Sequence, residues 1–152
     1  MEAAAAAQDG FAREPVPQGG RFELADVRVF PAQPAVLHRV RRYVQDLADD
    51  AALPADAAGD LIIAVSEAAA NSALYSRSPE FEVGWRRLDH RVEVTVEDRG
   101  VFRRSLPVAE GVEDPGRGRG IQLMMALMDE VDVRHGSEDN PGTRVRLVKY
   151  LR

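Results

Sequence analysis

The sequence predicts an α+β domain, a two-layer α/β sandwich in which a mostly antiparallel sheet carries its helices on one face. Three observations predict it. First, Phe81, Val83 and Trp85 alternate with Glu82, Gly84 and Arg86, and Val92, Val94 and Val96 alternate with Glu93, Thr95 and Glu97. The short connection Arg87–His90 makes these an antiparallel hairpin with one buried face. Second, Val36, Leu37, Val40, Tyr43, Val44 and Leu47 recur at three- and four-residue steps, the period of an amphipathic helix. Third, the elements run strand, two helices, two strands, loop, helix, two strands, which gathers the helices between adjacent strands.

Taken in order, residues 1–20 are rich in alanine, glycine and proline without a period, and read as a flexible tail ahead of one domain over 21–152. Phe22, Leu24, Val27 and Val29 mark a first strand whose phase slips near Ala25–Asp26, as a bulge or a division into two short pieces would cause. Pro31 and Pro34 end it. A helix follows over 35–50, with Arg39, Arg41, Arg42 and Asp46 on its solvated side. Pro54 suits the first turn of a second, alanine-rich helix that runs to about Leu74. After the hairpin, residues 99–119 show no period and contain four glycines, the composition of a functional loop or lid. A third helix is expected from Gly120, through Ile121, Leu123, Met124, Leu127 and Met128. Val131 and Val133 suggest a strand, Gly136–Gly142 a turn, and Thr143, Val145 and Leu147 the last strand.

Composition narrows the function. A chain of 152 residues with 45% apolar residues can bury a core of its own. It has no cysteine, so disulfides and thiolate metal sites are excluded and a reducing cytosol is the expected compartment. Neither a secretory leader nor an apolar run of membrane-spanning length is found, so no membrane partner is expected. A net charge of −5 argues against a nucleic-acid partner.

Three constellations carry chemistry. Glu67 and Asn71 share one face of the second helix among alanines. They read either as oxygen ligands for a hard cation and a group that orients a nucleophile, or as an exposed polar pair. Asp98 keeps the phase of Val92, Val94 and Val96, which points it toward the core side. A ligand's amino group would satisfy a buried carboxylate there; an Asp that closes a strand is the other reading. Gly116, Arg117, Gly118, Arg119 and Gly120 run into a helix. Glycines, helix amides and arginines together suit phosphate, and a flexible linker is the alternative. No Gly-Lys-Ser/Thr loop and no N-terminal βαβ unit is found, so P-loop and dinucleotide-binding schemes fall away.

The segments Ser66-Glu67-Ala68-Ala69-Ala70-Asn71-Ser72, Val96-Glu97-Asp98-Arg99-Gly100, Gly116–Ile121 and Gly142-Thr143, in that order, resemble the GHKL (Bergerat-fold) ATPases. Chain length and the two helices before the first motif are most similar to the anti-sigma-factor serine kinases of bacterial partner-switching systems. The resemblance implies that Glu67 is the general base and Asn71 holds Mg²⁺ on the phosphates of ATP. It implies that Asp98 accepts from the adenine amino group, with Gly100 giving the base room. Gly116, Gly118 and Gly120 then form the phosphate lid, Arg119 reaches the terminal phosphate, and Thr143 supports Asp98. The implied function is a cytoplasmic, ATP-binding anti-sigma factor that phosphorylates its antagonist on Ser or Thr and so regulates transcription. A sigma factor and the antagonist are the implied partners, and a homodimer the implied assembly. Tyr75 stands where many relatives have His, Phe102 where many have a second glycine, and Gln122 lies between Ile121 and Leu123. These departures motivate an alternative, a nucleotide-gated protein-binding module of the same fold without kinase activity.

Overall fold

A five-stranded, wholly antiparallel sheet in the order β1-β2-β3-β5-β4 holds three helices on one face. This computed structural model describes residues 24–99, 115–137, 139 and 141–151. The tail expected over 1–20, Gly100 and Phe102 lie outside the described residues. In chain order the elements are β1 (Leu24–Pro31), a 3-10 turn (Pro34–Val36), α1 (Leu37–Asp50), α2 (Ala55–Tyr75), β2 (Glu80–Leu88), β3 (Arg91–Asp98), α3 (Pro115–Leu127), β4 (Glu130–His135) and β5 (Thr143–Tyr150).

The core lies between the sheet and the helices. Phe81, Val83, Trp85, Val92, Val94, Val96 and Leu147 project from the strands. Val40, Val44, Leu61, Val65 and Met124 meet them from the helices. Alternation in β2 and β3 thus buries one side chain in two, as the period of two requires. The hairpin turn tightens to Asp89 and His90, because Leu88 already pairs with Arg91.

Two expectations need correction. β1 pairs with β2 without a bulge, from Leu24 opposite Arg87 to Pro31 opposite Glu80. Its inward phase carries Asp26, Arg28 and Phe30, while Val27 and Val29 are 55% and 49% exposed on the outer face. Tyr43 of α1 makes the polar inward residues acceptable: its hydroxyl donates to Asp26 Oδ2 at 2.6 Å, and the Arg28 guanidinium lies 4.7 Å from its ring centroid. Burial, and then the bond to Asp26, push the Tyr43 hydroxyl well above the ordinary tyrosine range. The third helix begins at Pro115 and not at Gly120, so Gly116, Gly118 and Arg119 fall within its first turns. Proline at a first helical position has its φ already set for the turn.

The outer face of the sheet carries charge. Glu93, buried at its centre, is held by Arg86, by Arg91 Nε at 2.8 Å and by Arg146 Nη2 at 3.3 Å. Burial alone would raise its carboxyl, but Arg86, Arg146 and Arg91 outweigh that and hold it below the ordinary carboxylate range.

α1 closes with a Schellman pattern: Leu53 N–H donates to the Ala48 carbonyl and Ala52 N–H to that of Asp49, each at 3.0 Å. Ala52 occupies the left-handed position with φ 56°, a conformation that costs an L-residue about 1–2 kcal/mol. Ala52→Gly is therefore expected to stabilise the protein by about 0.5–1 kcal/mol, less than the full strain because the unfolded chain gains entropy. Thermal unfolding should show a Tm rise of about 1–4 °C; an unchanged or lower Tm would contradict the strain.

Candidate functional site

Helix α2 supplies most of the site. Small residues let it sit close: Ala57, Ala58, Ala64, Ala68 and Ala69 are all buried between its neighbours and the sheet. Its polar residues then emerge on defined sides. Ser66 faces α1, where Arg41 Nε donates to its Oγ at 2.9 Å. Arg41, expected only to be solvated, is thus a tie between the two helices. Glu67 and Asn71, both half-buried, lie one turn apart toward α3. Ser72 turns inward and donates to Asp98 Oδ2 at 2.8 Å.

That last bond defines the deep end of the site. Asp98 is the final residue of β3 and only 2% exposed. A carboxylate so buried needs donors, and Ser72 provides one from the helix that carries Glu67 and Asn71. The core-side orientation expected from strand phase is what the structure has. Thr143 lies opposite Asp98 in the β3–β5 register, and its own Oγ1 is 3.5 Å from His135 Nδ1. Gly142, immediately before it, has φ 143°. A Cβ there would sit 2.4 Å from the Asp98 carbonyl oxygen and 3.1 Å from Arg99 Cα. The backbone of the β4–β5 turn is therefore pressed on the end of β3, where only glycine fits.

Helix α3 closes the other flank. Gly120 is buried against Glu67, and a Cβ on it would be 2.9 Å from Glu67 Oε1. At the far end of α3, Lys149 Nζ donates to the Leu127 carbonyl at 2.8 Å and to Asp60 Oδ2 of α2 at 2.9 Å. Gly120 lies at the level of Glu67 and Leu127 at that of Asp60, so the two helices run antiparallel with a common seam.

The structure thus brings Glu67, Asn71, Asp98, Gly120 and Thr143 to one end of the sheet and the seam beside it. Gly116, Gly118 and Arg119 begin the same helix, and Gly100 lies outside the described residues. Sequence reasoning missed Ser72, Gly142's close approach and Lys149. Ser72 carried a signal: it is a polar residue at an apolar phase of its helix. Among the described residues no three His, Asp or Glu side chains converge as a metal site, and none of the helices is long and apolar enough to cross a membrane. Asn71, with a hard amide oxygen beside Glu67, is the residue that suits a cation shared with a bound anion.

Comparison with known proteins bears on the family and the fold. A family described as a histidine kinase-like ATPase domain matches residues 30–149. Serine-protein kinase RsbW of Bacillus velezensis is 31% identical over 138 residues, covering 80% of this chain and 82% of that protein. RsbW of Bacillus subtilis is 30% identical with the same coverage. In fold, the chain resembles the RsbU and RsbW domains of a Mycobacterium tuberculosis protein, with a TM-score of 0.63 at 19% identity over 84% of this chain and 32% of that one. It also resembles a chain in the SiaB-SiaC complex from Pseudomonas aeruginosa, with a TM-score of 0.60 at 11% identity over 97% and 95%.

The contact at Gly142 makes a test of the deep end. Gly142→Ala is expected to cost at least about 1–3 kcal/mol of stability, because it strains φ and pushes the chain off Asp98. Gly59→Ala makes the same chemical change inside α2, where an added Cβ meets nothing within 4 Å. It is expected to stabilise by about 0.5–1 kcal/mol. Urea unfolding of the pair should move in opposite directions; parallel shifts would refute the close approach.

Proposed function

The chain belongs to the histidine kinase-like ATPase family, and from that premise we propose that it is an ATP-dependent protein serine/threonine kinase and anti-sigma factor. It works in the cytoplasm, binding a sigma factor and phosphorylating the antagonist protein that opposes it, and so regulates transcription by partner switching. The observation that carries this reading is the 2.8 Å bond from Ser72 to Asp98. It locks the buried acceptor at the sheet end to the helix that presents Glu67 and Asn71.

The residues fit the nucleotide. Asp98 offers a buried acceptor suited to an adenine amino group, and the close approaches at Gly142 and Gly120 hold the end of β3 and Glu67 in place beside it. The first turns of α3, which include Gly116 and Gly118, bring helix amides suited to phosphate, and Arg119 is the cation assigned to the terminal phosphate. Asn71 would hold Mg²⁺ through its side-chain oxygen, and Thr143 would support Asp98. Bound ATP supplies the transferable γ-phosphoryl group. Glu67 would take the proton from the acceptor Ser or Thr hydroxyl as that oxygen bonds to the γ-phosphorus and the bond from the γ-phosphorus to the β,γ-bridging oxygen breaks, with ADP as the leaving group. Such transfer depends on positioning and charge neutralisation more than on covalent catalysis by the protein, which matches one base, one metal ligand and a glycine-bearing helix over them.

Two variants test the assignment with [γ-³²P]ATP, Mg²⁺ and a panel of purified anti-sigma antagonist proteins. Glu67→Ala is expected to lower labelling of the antagonist about 10²- to 10⁴-fold while ATP affinity is retained. Undiminished labelling would remove Glu67 from the role of base, and ATP binding without any transfer by the wild type would leave a nucleotide-gated binding module. Asp98→Asn is expected to weaken ATP binding about tenfold or more, the scale of one charged hydrogen bond. An unchanged affinity would overturn the adenine pocket.

A further inference from the structure

Two exposed apolar side chains stand beside Glu67 on different helices. Ile63, one turn before Glu67 on α2, is 44% exposed. Leu123, one turn after Gly120 on α3, is 38% exposed. The seam is fixed at both levels, by Gly120 against Glu67 and by Lys149 between Leu127 and Asp60. With a rise of about 1.5 Å per residue, Ile63 lies roughly 6 Å and Leu123 roughly 4.5 Å from the Glu67–Gly120 contact, in the same direction along the seam. The neighbouring residues Ala64 and Met124 are fully buried and fill the seam beneath. Ile63 and Leu123 therefore form its outer lip, and the core does not need them. One exposed Ile or Leu is ordinary; two from separate elements, level with each other and next to the proton acceptor, form a small patch aimed at what approaches that acceptor.

We propose that Ile63 and Leu123 seat an apolar side chain flanking the acceptor Ser or Thr of the antagonist protein, and so help determine which hydroxyl is phosphorylated. The inference rests on the reading of Glu67 as base. The acceptor hydroxyl has to come within about 3 Å of the Glu67 carboxylate. Its chain neighbours, spaced about 3.5 Å apart, then lie along this lip. An apolar neighbour gains burial there, whereas a charged one would be desolvated against Ile63 and Leu123.

The test uses Ile63→Asp, Leu123→Asp and their double variant, with Ile63→Ser and Leu123→Ser as milder replacements. Val27→Asp, on the opposite face of the sheet, serves as control. The acceptor is the antagonist that the wild type labels. Rates are measured over its concentration range, and binding is measured by calorimetry with that antagonist's acceptor residue changed to Ala. The double variant is expected to raise KM and the dissociation constant together by about 10- to 100-fold, the scale of one buried apolar side chain. It should keep kcat at saturation and its affinity for ATP, and Val27→Asp should change none of these. Unchanged KM and binding would overturn the proposal, as would a KM effect equally large for Val27→Asp. Dissolution of a homodimer with KM intact would also overturn it, giving the patch to a second copy of the chain. Failure of the base reading looks different: Glu67→Ala would still label the antagonist while the Ile63 and Leu123 effects on KM persisted.

Discussion

The buried carboxylate of Asp98 is the constraint around which the site is arranged. An anion 2% exposed at the end of a central strand would destabilise the fold unless donors reached it. Ser72 reaches it from α2, which fixes both the height and the rotation of that helix against the sheet. Once α2 is placed, Glu67 and Asn71 have no independent freedom, since helical geometry sets them one turn apart and toward α3. The alanines of α2 serve the same end. A helix with larger side chains could not approach the sheet closely enough for a serine to span the gap.

The neighbouring helices are referenced to α2 in turn. Arg41 ties α1 to it through Ser66. Lys149 ties α3 to it through Asp60, while capping the Leu127 carbonyl at the end of α3. Gly120 then meets Glu67 at a distance that leaves no room for a methyl group. The two faces of the sheet divide the work. The inner face holds the core and the helices, whereas the outer face holds Glu93 among its arginines. The chemistry collects where the inner face ends, at Asp98, Thr143 and the turn before it.

Strong periodicity made much of this legible in the residues alone. The hairpin of β2 and β3 could be read because one of its faces is buried and the other solvated, so the alternation survives tertiary contacts. α1 could be read for the same reason at the helical period, whereas α2 was legible from Pro54 and its alanine-rich composition. Asp98 could be placed on the core side by counting along β3. β1 misled because it is an edge strand: Val27 and Val29 face outward, and Tyr43 accepts the inward Asp26 and Arg28. The start of α3 misled because glycine is a poor helix former, so Gly116 to Gly120 looked like loop although the chain is helical from Pro115.

What the residues determined by themselves were the local elements, the sheet-and-helix layering and the identity of the polar groups set in apolar surroundings. Those depend on backbone preferences and on which side chains water rejects, and both are properties of short segments. Only the tertiary structure decided which of those groups meet. Ser72 and Asp98 are 26 residues apart in the chain, and Lys149 and Asp60 are 89 apart. No local period encodes such pairings; they are set by how the layers dock, by how closely alanines and glycines let backbones approach, and by the need of each buried charge for a partner.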